Sequence, residues 1–132
     1  MPLLTRVFIK TGMICLALAL TLGILLAFGI TNGFFPVYIH LLVFGWLTQL
    51  IFGVIFWMFP KYSTEKPRGN ETLGWWTYVL LNLGLLVRGI AEPMQATRAN
   101  TFSAWVLVLS AILQFASGLL FVINSWGRVK ER

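Results

Sequence analysis

Four long apolar runs constrain the fold of this chain more than any other feature. They cover approximately residues 7–29, 36–59, 73–91 and 102–126. Each run is about 19 to 25 residues long, which spans a hydrocarbon core of ~30 Å at ~1.5 Å of rise per residue. Because backbone groups inside lipid must be hydrogen-bonded within their own segment, each run is predicted to be α-helical. The sequence therefore predicts an all-α integral membrane protein, with residues 1–132 forming one transmembrane domain.

The connections between the runs are short. They comprise residues 31–35, 61–72 and 92–101. Short links make neighbouring helices antiparallel, which predicts an up-down-up-down four-helix bundle.

The basic residues are distributed unequally between the two ends of this bundle. Two lie toward the second end, Arg88 and Arg98. Eight lie on the side of the termini and the middle loop: Arg6, Lys10, Lys61, Lys66, Arg68, Arg128, Lys130 and Arg132. The positive-inside rule then predicts that both termini are cytoplasmic in a bacterial inner (plasma) membrane. The net charge of +6 fits contact with anionic lipid better than nucleic acid, because the basic residues flank the apolar runs.

Three amide side chains fall near the middle of the predicted bilayer on three different helices. They are Gln49, Asn82 and Gln114. One interpretation is a polar relay or site, and the other is hydrogen bonding between helices, at about 0.6 to 2 kcal/mol per bond. Amides do not titrate, which favours the second interpretation.

A narrow strip of small residues is expected on the second helix. Gly45, Gln49 and Gly53 recur every four residues, so another helix can approach closely along this line. Gly84 and Gly118 are expected to mark close crossings in the third and fourth helices.

His40 is the only histidine in the chain and lies about one turn inside the outer end of the second run. At 100° per residue it projects about 140° away from the strip that begins at Gly45. It is either an interfacial residue bonded to a carbonyl or water, or the ligand of a haem iron. A zinc or copper site is disfavoured, because there is no other histidine and Cys15 is expected near the opposite face. The single cysteine excludes an intrachain disulfide.

The stretch around His40 resembles a known membrane helix. The residues HLLVFGW at 40–46, followed by TQ at 48–49, FG at 52–53 and WMFP at 57–60, resemble the second helix of subunit I of haem-copper oxidases and nitric oxide reductases. The resemblance covers about 25 residues. It implies that His40 is an axial ligand of a low-spin haem b near the outer face.

The departures from this family limit what the resemblance implies. The family subunit has many more helices and several more histidines, whereas this chain has four predicted helices and His40 alone. Reduction of oxygen or nitric oxide at a binuclear centre is therefore excluded for this chain by itself. What the resemblance implies is electron transfer or haem-based gas sensing.

Other residues would contact such a haem. Arg88 and Arg98 are candidate partners of the propionates, although Arg88 and Glu92 are also spaced for a local ion pair. Candidate aromatic residues against the porphyrin, each of which could instead pack in the core or against lipid, are Tyr38, Phe44 and Trp46.

The second axial ligand has three candidate identities. It is His40 of another copy in a symmetric homo-oligomer, or Met94 from a loop at the outer end of the third helix, or it is absent, which leaves the iron five-coordinate.

Two functions without haem are the alternatives to electron transfer or gas sensing. The chain could be a non-catalytic structural subunit of a larger respiratory membrane complex, with His40 in a structural role. A small transporter or channel is disfavoured, because the predicted helices contain no deeply buried acid and no pair of broken helices.

Overall fold

The computed structural model describes residues 1–30 and 33–129. In these ranges the chain forms four helices and no strand: α1 (Leu3–Ala27), α2 (Phe35–Met58), α3 (Glu71–Thr97) and α4 (Thr101–Trp126). Each is long and apolar enough to cross a membrane. The predicted all-α fold, with four helices long and apolar enough to span a membrane, is thus confirmed.

Helix α1 begins four residues earlier than predicted, at Leu3. The polar Arg6 suggested a boundary near residue 7, but the first turn is held by core contacts. Leu4 and Phe8 are both buried, and the Thr5 hydroxyl donates to the carbonyl of Gly53 at 3.2 Å. Contacts with α2 therefore extend the helix beyond its apolar run.

Helix α3 continues six residues past its predicted end. It begins after Asn70, whose side chain accepts a hydrogen bond from the Thr72 amide at 3.0 Å, and it runs through Pro93 to Thr97. A proline inside a helix removes its own N–H donor and crowds the carbonyl four residues earlier, and α3 nevertheless continues past Pro93. The Thr97 hydroxyl donates to the Pro93 carbonyl at 2.9 Å in the last turn. Met94 consequently lies within a helix, and its predicted place in a loop was wrong.

Helix α2 changes its winding along its length. The segment Phe35–His40 is α-helical with Pro36 in its first turn, Leu41–Leu47 is π-helical, and Thr48–Met58 is α-helical again. A π-helical stretch hydrogen-bonds from residue i to i+5 and is frequent at functional sites. The wider winding starts directly after His40.

The four helices form two antiparallel hairpins. Helices α1 and α2 make the N-terminal hairpin, and α3 and α4 make the C-terminal hairpin; each pair is in much more extensive contact than the two hairpins are with each other. An aromatic core joins the hairpins. Phe8 meets the edge of Tyr78 with centroids 5.1 Å apart, and Phe52 stacks on Phe121 at 3.8 Å.

Close backbone approach holds the N-terminal hairpin together. A Cβ atom at Gly45 would lie 2.9 Å from Cys15 Cβ, and one at Gly53 would lie 2.9 Å from Phe8 Cβ. Only a residue without a side chain fits at either distance. The predicted strip of small residues on α2 is therefore confirmed, with α1 as the neighbour that it contacts.

A polar ladder holds the C-terminal hairpin together. The side chains that form its hydrogen bonds recur every seven residues along α4. Ser103 donates to Gln95 Oε1, Ser110 to Gly84 O at 2.8 Å, Ser117 to Thr77 O at 2.7 Å, and Asn124 Oδ1 accepts from the Asn70 amide at 2.9 Å.

Gly84 is the point of closest approach within this ladder. A Cβ there would lie 2.9 Å from Gln114 Cγ and 3.1 Å from Ser110 O, so the close crossing predicted at Gly84 is confirmed. At Gly118 nothing lies within 4 Å of an added Cβ. The close crossing predicted there was wrong, because Gly118 is not on the ladder side of α4.

Candidate functional site

The candidate site is centred on His40, the last residue of the first α-helical segment of α2. Its side chain is partly exposed. The Nδ1 atom lies 2.7 Å from the carbonyl oxygen of Pro36, one turn earlier. A carbonyl only accepts hydrogen bonds, so Nδ1 carries the hydrogen and, in the neutral ring, Nε2 presents an unprotonated lone pair. Nε2 has no hydrogen-bond partner among residues 1–30 and 33–129.

Phe44 is the aromatic residue that contacts His40. The two rings are stacked, with centroids 5.8 Å apart and planes 12° from parallel. Phe44 lies inside the π-helical segment, one turn below His40. The imidazole therefore contacts an apolar ring on one side and the backbone carbonyl of Pro36 through Nδ1.

Tyr38 and Trp46 have other neighbours. Tyr38 is two residues before His40, about 200° around the helix, and a Cβ at Gly23 of α1 would lie 3.1 Å from its ring. Trp46 is partly exposed, and its carbonyl oxygen lies 3.4 Å from the Cβ position of Gly12. Tyr38 thus packs inside the N-terminal hairpin, on the opposite side of α2 from His40.

Arg88 forms the local ion pair that its spacing with Glu92 predicted. Its Nη1 donates to Glu92 Oε1 at 2.8 Å, and both side chains are only 15% exposed. Its Nε donates to the Ser110 hydroxyl at 3.2 Å, which directs the guanidinium toward α4. In the described part of the chain no hydrogen bond or ion pair joins Arg88 to His40.

Met94 and Arg98 lie at the same end of α3. Met94 borders a small apolar cavity of about 230 Å³ between α3 and α4, together with Phe102 and Val106. Arg98 ends the helix and is exposed. Its backbone carbonyl accepts a hydrogen bond from the side-chain Nδ2 of Asn100 at 3.2 Å.

Two of the three mid-membrane amides are paired. Gln49 Nε2 donates to Asn82 Oδ1 at 3.0 Å, and Asn82 Nδ2 lies 3.4 Å from Gln49 Oε1. This bond links α2 to α3 and confirms the interhelical interpretation for that pair. Gln114 does not join it. Its Nε2 atom is buried without a hydrogen-bond partner among the described residues.

A lateral cavity of about 490 Å³ lies between α1, α2 and α3. Its walls include Cys15 from α1, Leu41 from α2 and Asn82 from α3. Val37 and Leu41, which flank His40 in the sequence, line this cavity and His40 does not. This apolar cavity is therefore separate from the imidazole.

Arg128 is buried, although from the sequence it was predicted only to be one of the basic residues on the cytoplasmic side. It is 1% exposed and donates to the carbonyls of Phe56 at 3.0 Å, Phe59 at 2.8 Å and Pro60 at 3.1 Å. Its guanidinium carbon lies 6.0 Å from the ring centroids of Phe56 and Phe59. Burial, and secondarily the charge of Arg68, lower the pKa of this guanidinium from its ordinary value.

The sequence shows that the end of α2 lacks a local donor, although it does not identify Arg128 as the residue that supplies one. The last carbonyls of any α-helix need outside donors. Helix α2 has no basic residue in its last turn, and it ends on an extended Phe59 followed by Pro60. Its end therefore required a donor from elsewhere, and Arg128 links the C-terminal hairpin to α2 in this way.

In the part of the chain that the structure describes, no group of three His, Cys, Asp or Glu side chains is placed to hold a metal ion. Comparison of the chain with protein-family models, with curated proteins and with solved structures gave no match.

Proposed function

We propose that this chain is a haem b-binding membrane protein in which His40 is an axial ligand of the iron. The observation that carries the proposal is the 2.7 Å hydrogen bond from His40 Nδ1 to the Pro36 carbonyl. A histidine that ligates a metal through one ring nitrogen generally donates its other N–H to a carbonyl or carboxylate, which fixes the tautomer and orients the ring. The free Nε2 of His40 meets that requirement.

The surroundings of His40 suit a flat apolar ligand. Phe44 stacks beneath the imidazole, and the exposed neighbours Ile39 and Val43 are aliphatic. A bound haem would supply one-electron transfer, or binding of a diatomic gas where one axial position stays open. The resemblance of residues 40–60 to subunit I of haem-copper oxidases and nitric oxide reductases supports the same proposal.

Arginines at the outer end are the proposed partners of the haem propionates. A guanidinium has five N–H donors, and the bonds of Arg88 to Glu92 and Ser110 use two of them. Arg98 is exposed, and its guanidinium makes no hydrogen bond within the described ranges. Arg98 is therefore the more available of the two, and Arg88 would serve through its remaining donors.

The proposal includes the topology predicted from the distribution of Lys and Arg. Both termini would be cytoplasmic in a bacterial inner membrane, with His40 near the outer face. Reporter fusions that are active only on one side of the membrane test this. Fusions at the C-terminus and after residue 66 should report the cytoplasm, and a fusion after residue 98 the opposite side.

Haem titration of the purified full chain in detergent tests the ligand. Wild type should give a Soret band of bound haem, His40→Ala should lose it, and added imidazole should restore it by occupying the vacated position. Helical circular dichroism of the variant shows whether it folds. An identical Soret band in folded His40→Ala would refute His40 as the ligand.

The alternative is a non-catalytic subunit of a larger respiratory membrane complex. The observation that favours it is that Arg88 is hydrogen-bonded inside the chain, to Glu92 and Ser110, as a structural residue would be. Extraction in a mild detergent distinguishes the two proposals. A subunit would co-purify with other proteins in fixed stoichiometry, whereas a self-sufficient haem protein would be isolated as this chain alone.

A further inference from the structure

We infer that the second axial ligand of that haem is His40 of a second copy of this chain, so that two protomers hold one haem between them. The inference rests on the proposed function. It chooses His40 of a second copy over a sulfur ligand from the same chain. Its evidence is the direction in which each candidate ligand faces and the depth at which it lies.

Met94 faces away from the N-terminal hairpin. Two residues after it, Ala96 points toward that hairpin, because a Cβ at Gly33 would lie 2.7 Å from Ala96 Cβ. Residues two apart on an α-helix project about 200° apart. Met94 accordingly lies in the cavity against Phe102 of α4. It is turned away from α2 and cannot share an iron with His40 of the same chain.

The other sulfur ligands are placed no better. Cys15 is buried against the Cβ position of Gly45, at 2.9 Å, on the small-residue strip of α2. Met58 is the last residue of α2, at the opposite end of the helix from His40. Met1 lies before the start of α1, and Met13 is on the exposed face of α1.

A second copy supplies a ligand of the right type and depth. His40 is the only histidine in the sequence, so a second imidazole can come only from another chain. Copies inserted with the same topology are related by an axis along the membrane normal, and a closed two-fold contact places the same residue of each copy at the same depth. The partly exposed ring, beside the exposed Ile39 and Val43, can take part in such a contact.

The stoichiometry of haem binding tests this inference. Purified wild type titrated with haem b should saturate at one haem per two chains, and the loaded particle should contain an even number of chains. Electron paramagnetic resonance of the ferric form should show low-spin iron with two imidazole ligands. Met94→Leu is the matched control, and it should leave both the end point and the spectrum unchanged.

Hybrid dimers provide a second, independent test. Differently tagged wild type and His40→Ala chains are co-expressed, and the mixed dimer is isolated through both tags. With one histidine left, its haem should become high-spin, and imidazole should return it to low-spin. A hybrid that keeps the low-spin spectrum without imidazole would overturn the inference.

The remaining outcomes separate the inference from the proposed function. Saturation at one haem per chain, with a thioether signature lost in Met94→Leu, would overturn the shared haem and leave His40 as a ligand. One five-coordinate haem per chain would do the same. No haem binding to wild type at all would refute the proposed function and the inference together.

Discussion

The two hairpins of this chain are held together by different means. In the C-terminal hairpin, hydroxyl and amide groups of α4 hydrogen-bond to α3 every seven residues, at Ser103, Ser110, Ser117 and Asn124. In the N-terminal hairpin, glycines bring the backbones together, and the one hydrogen bond under 3.5 Å between α1 and α2 in the described ranges runs from Thr5 to Gly53. The candidate site and the π-helical segment both lie in α2, within the N-terminal hairpin.

This difference suggests a division of roles. Hydrogen bonds between helices keep their register even when a side chain repacks, whereas glycine contacts depend on shape alone. A helix held by shape can carry a π-helical stretch such as Leu41–Leu47, whose altered winding would break a regular ladder of hydrogen bonds. The C-terminal hairpin is thus the one whose register is fixed by hydrogen bonds, and the N-terminal hairpin carries the candidate ligand.

The largest expected effect comes from the residue that joins the two hairpins. Arg128→Met would leave the carbonyls of Phe56, Phe59 and Pro60 without their charged donor, which should destabilise the protein by about 3 kcal/mol. Unfolding in mixed micelles of increasing denaturing detergent, followed by circular dichroism, measures this. The exposed Arg6→Met is the control. Equal stability of the two variants would show that Arg128 does not couple the hairpins.

The next effect tests the shape-based contact of the N-terminal hairpin. Gly45→Ala places a Cβ 2.9 Å from that of Cys15 and should cost about 1 to 3 kcal/mol through overpacking. Gly118→Ala meets nothing within 4 Å and should stabilise the helix by up to about 1 kcal/mol. The same unfolding assay compares them. Effects of the same sign would contradict the glycine contact.

A smaller effect tests the polar ladder. Ser117→Ala removes the hydrogen bond to the Thr77 carbonyl and should destabilise the protein by about 1 kcal/mol. Ser125 is also buried on α4, but its hydroxyl has no hydrogen bond in the part of the chain described. Ser125→Ala is therefore the matched control, and we expect little change. A larger loss from Ser125→Ala than from Ser117→Ala would refute the ladder as the source of stability.

The smallest expected effect is an increase in stability. Gln114 Nε2 is buried without a partner in the described ranges, so Gln114→Leu should stabilise the C-terminal hairpin by about 0.5 to 1 kcal/mol. Gln49→Leu is the comparison, because it breaks the bond to Asn82 and should destabilise. Loss of stability in Gln114→Leu comparable to that in Gln49→Leu would mean that both amides are paired.

Local periodicity was enough to predict part of this structure. The helices, the strip at Gly45 and Gly53, and the close approach at Gly84 follow from residue spacing and from the physics of backbone groups in lipid. The Arg88–Glu92 ion pair follows from a spacing of four. The seven-residue recurrence of Ser103, Ser110 and Ser117 is also visible in the sequence. Only the structure shows that these serines hydrogen-bond to two backbone carbonyls and one side chain of α3.

The remaining features depend on partners distant in the sequence. Arg128 meets Phe56 across 72 residues, and no local pattern pairs them. The π-helical winding after His40 was not predicted from the sequence. The propionate role predicted for Arg88 depends on the direction of its side chain, which sequence position does not give, and Arg88 bonds to Ser110 of α4.

The absorption spectrum of the full chain, purified from haem-sufficient membranes and recorded before and after reduction, tests the central claim most directly. We predict a Soret band and α and β bands that sharpen on reduction, all dependent on His40. A colourless wild type that stays colourless with excess haem b would contradict the account of the site.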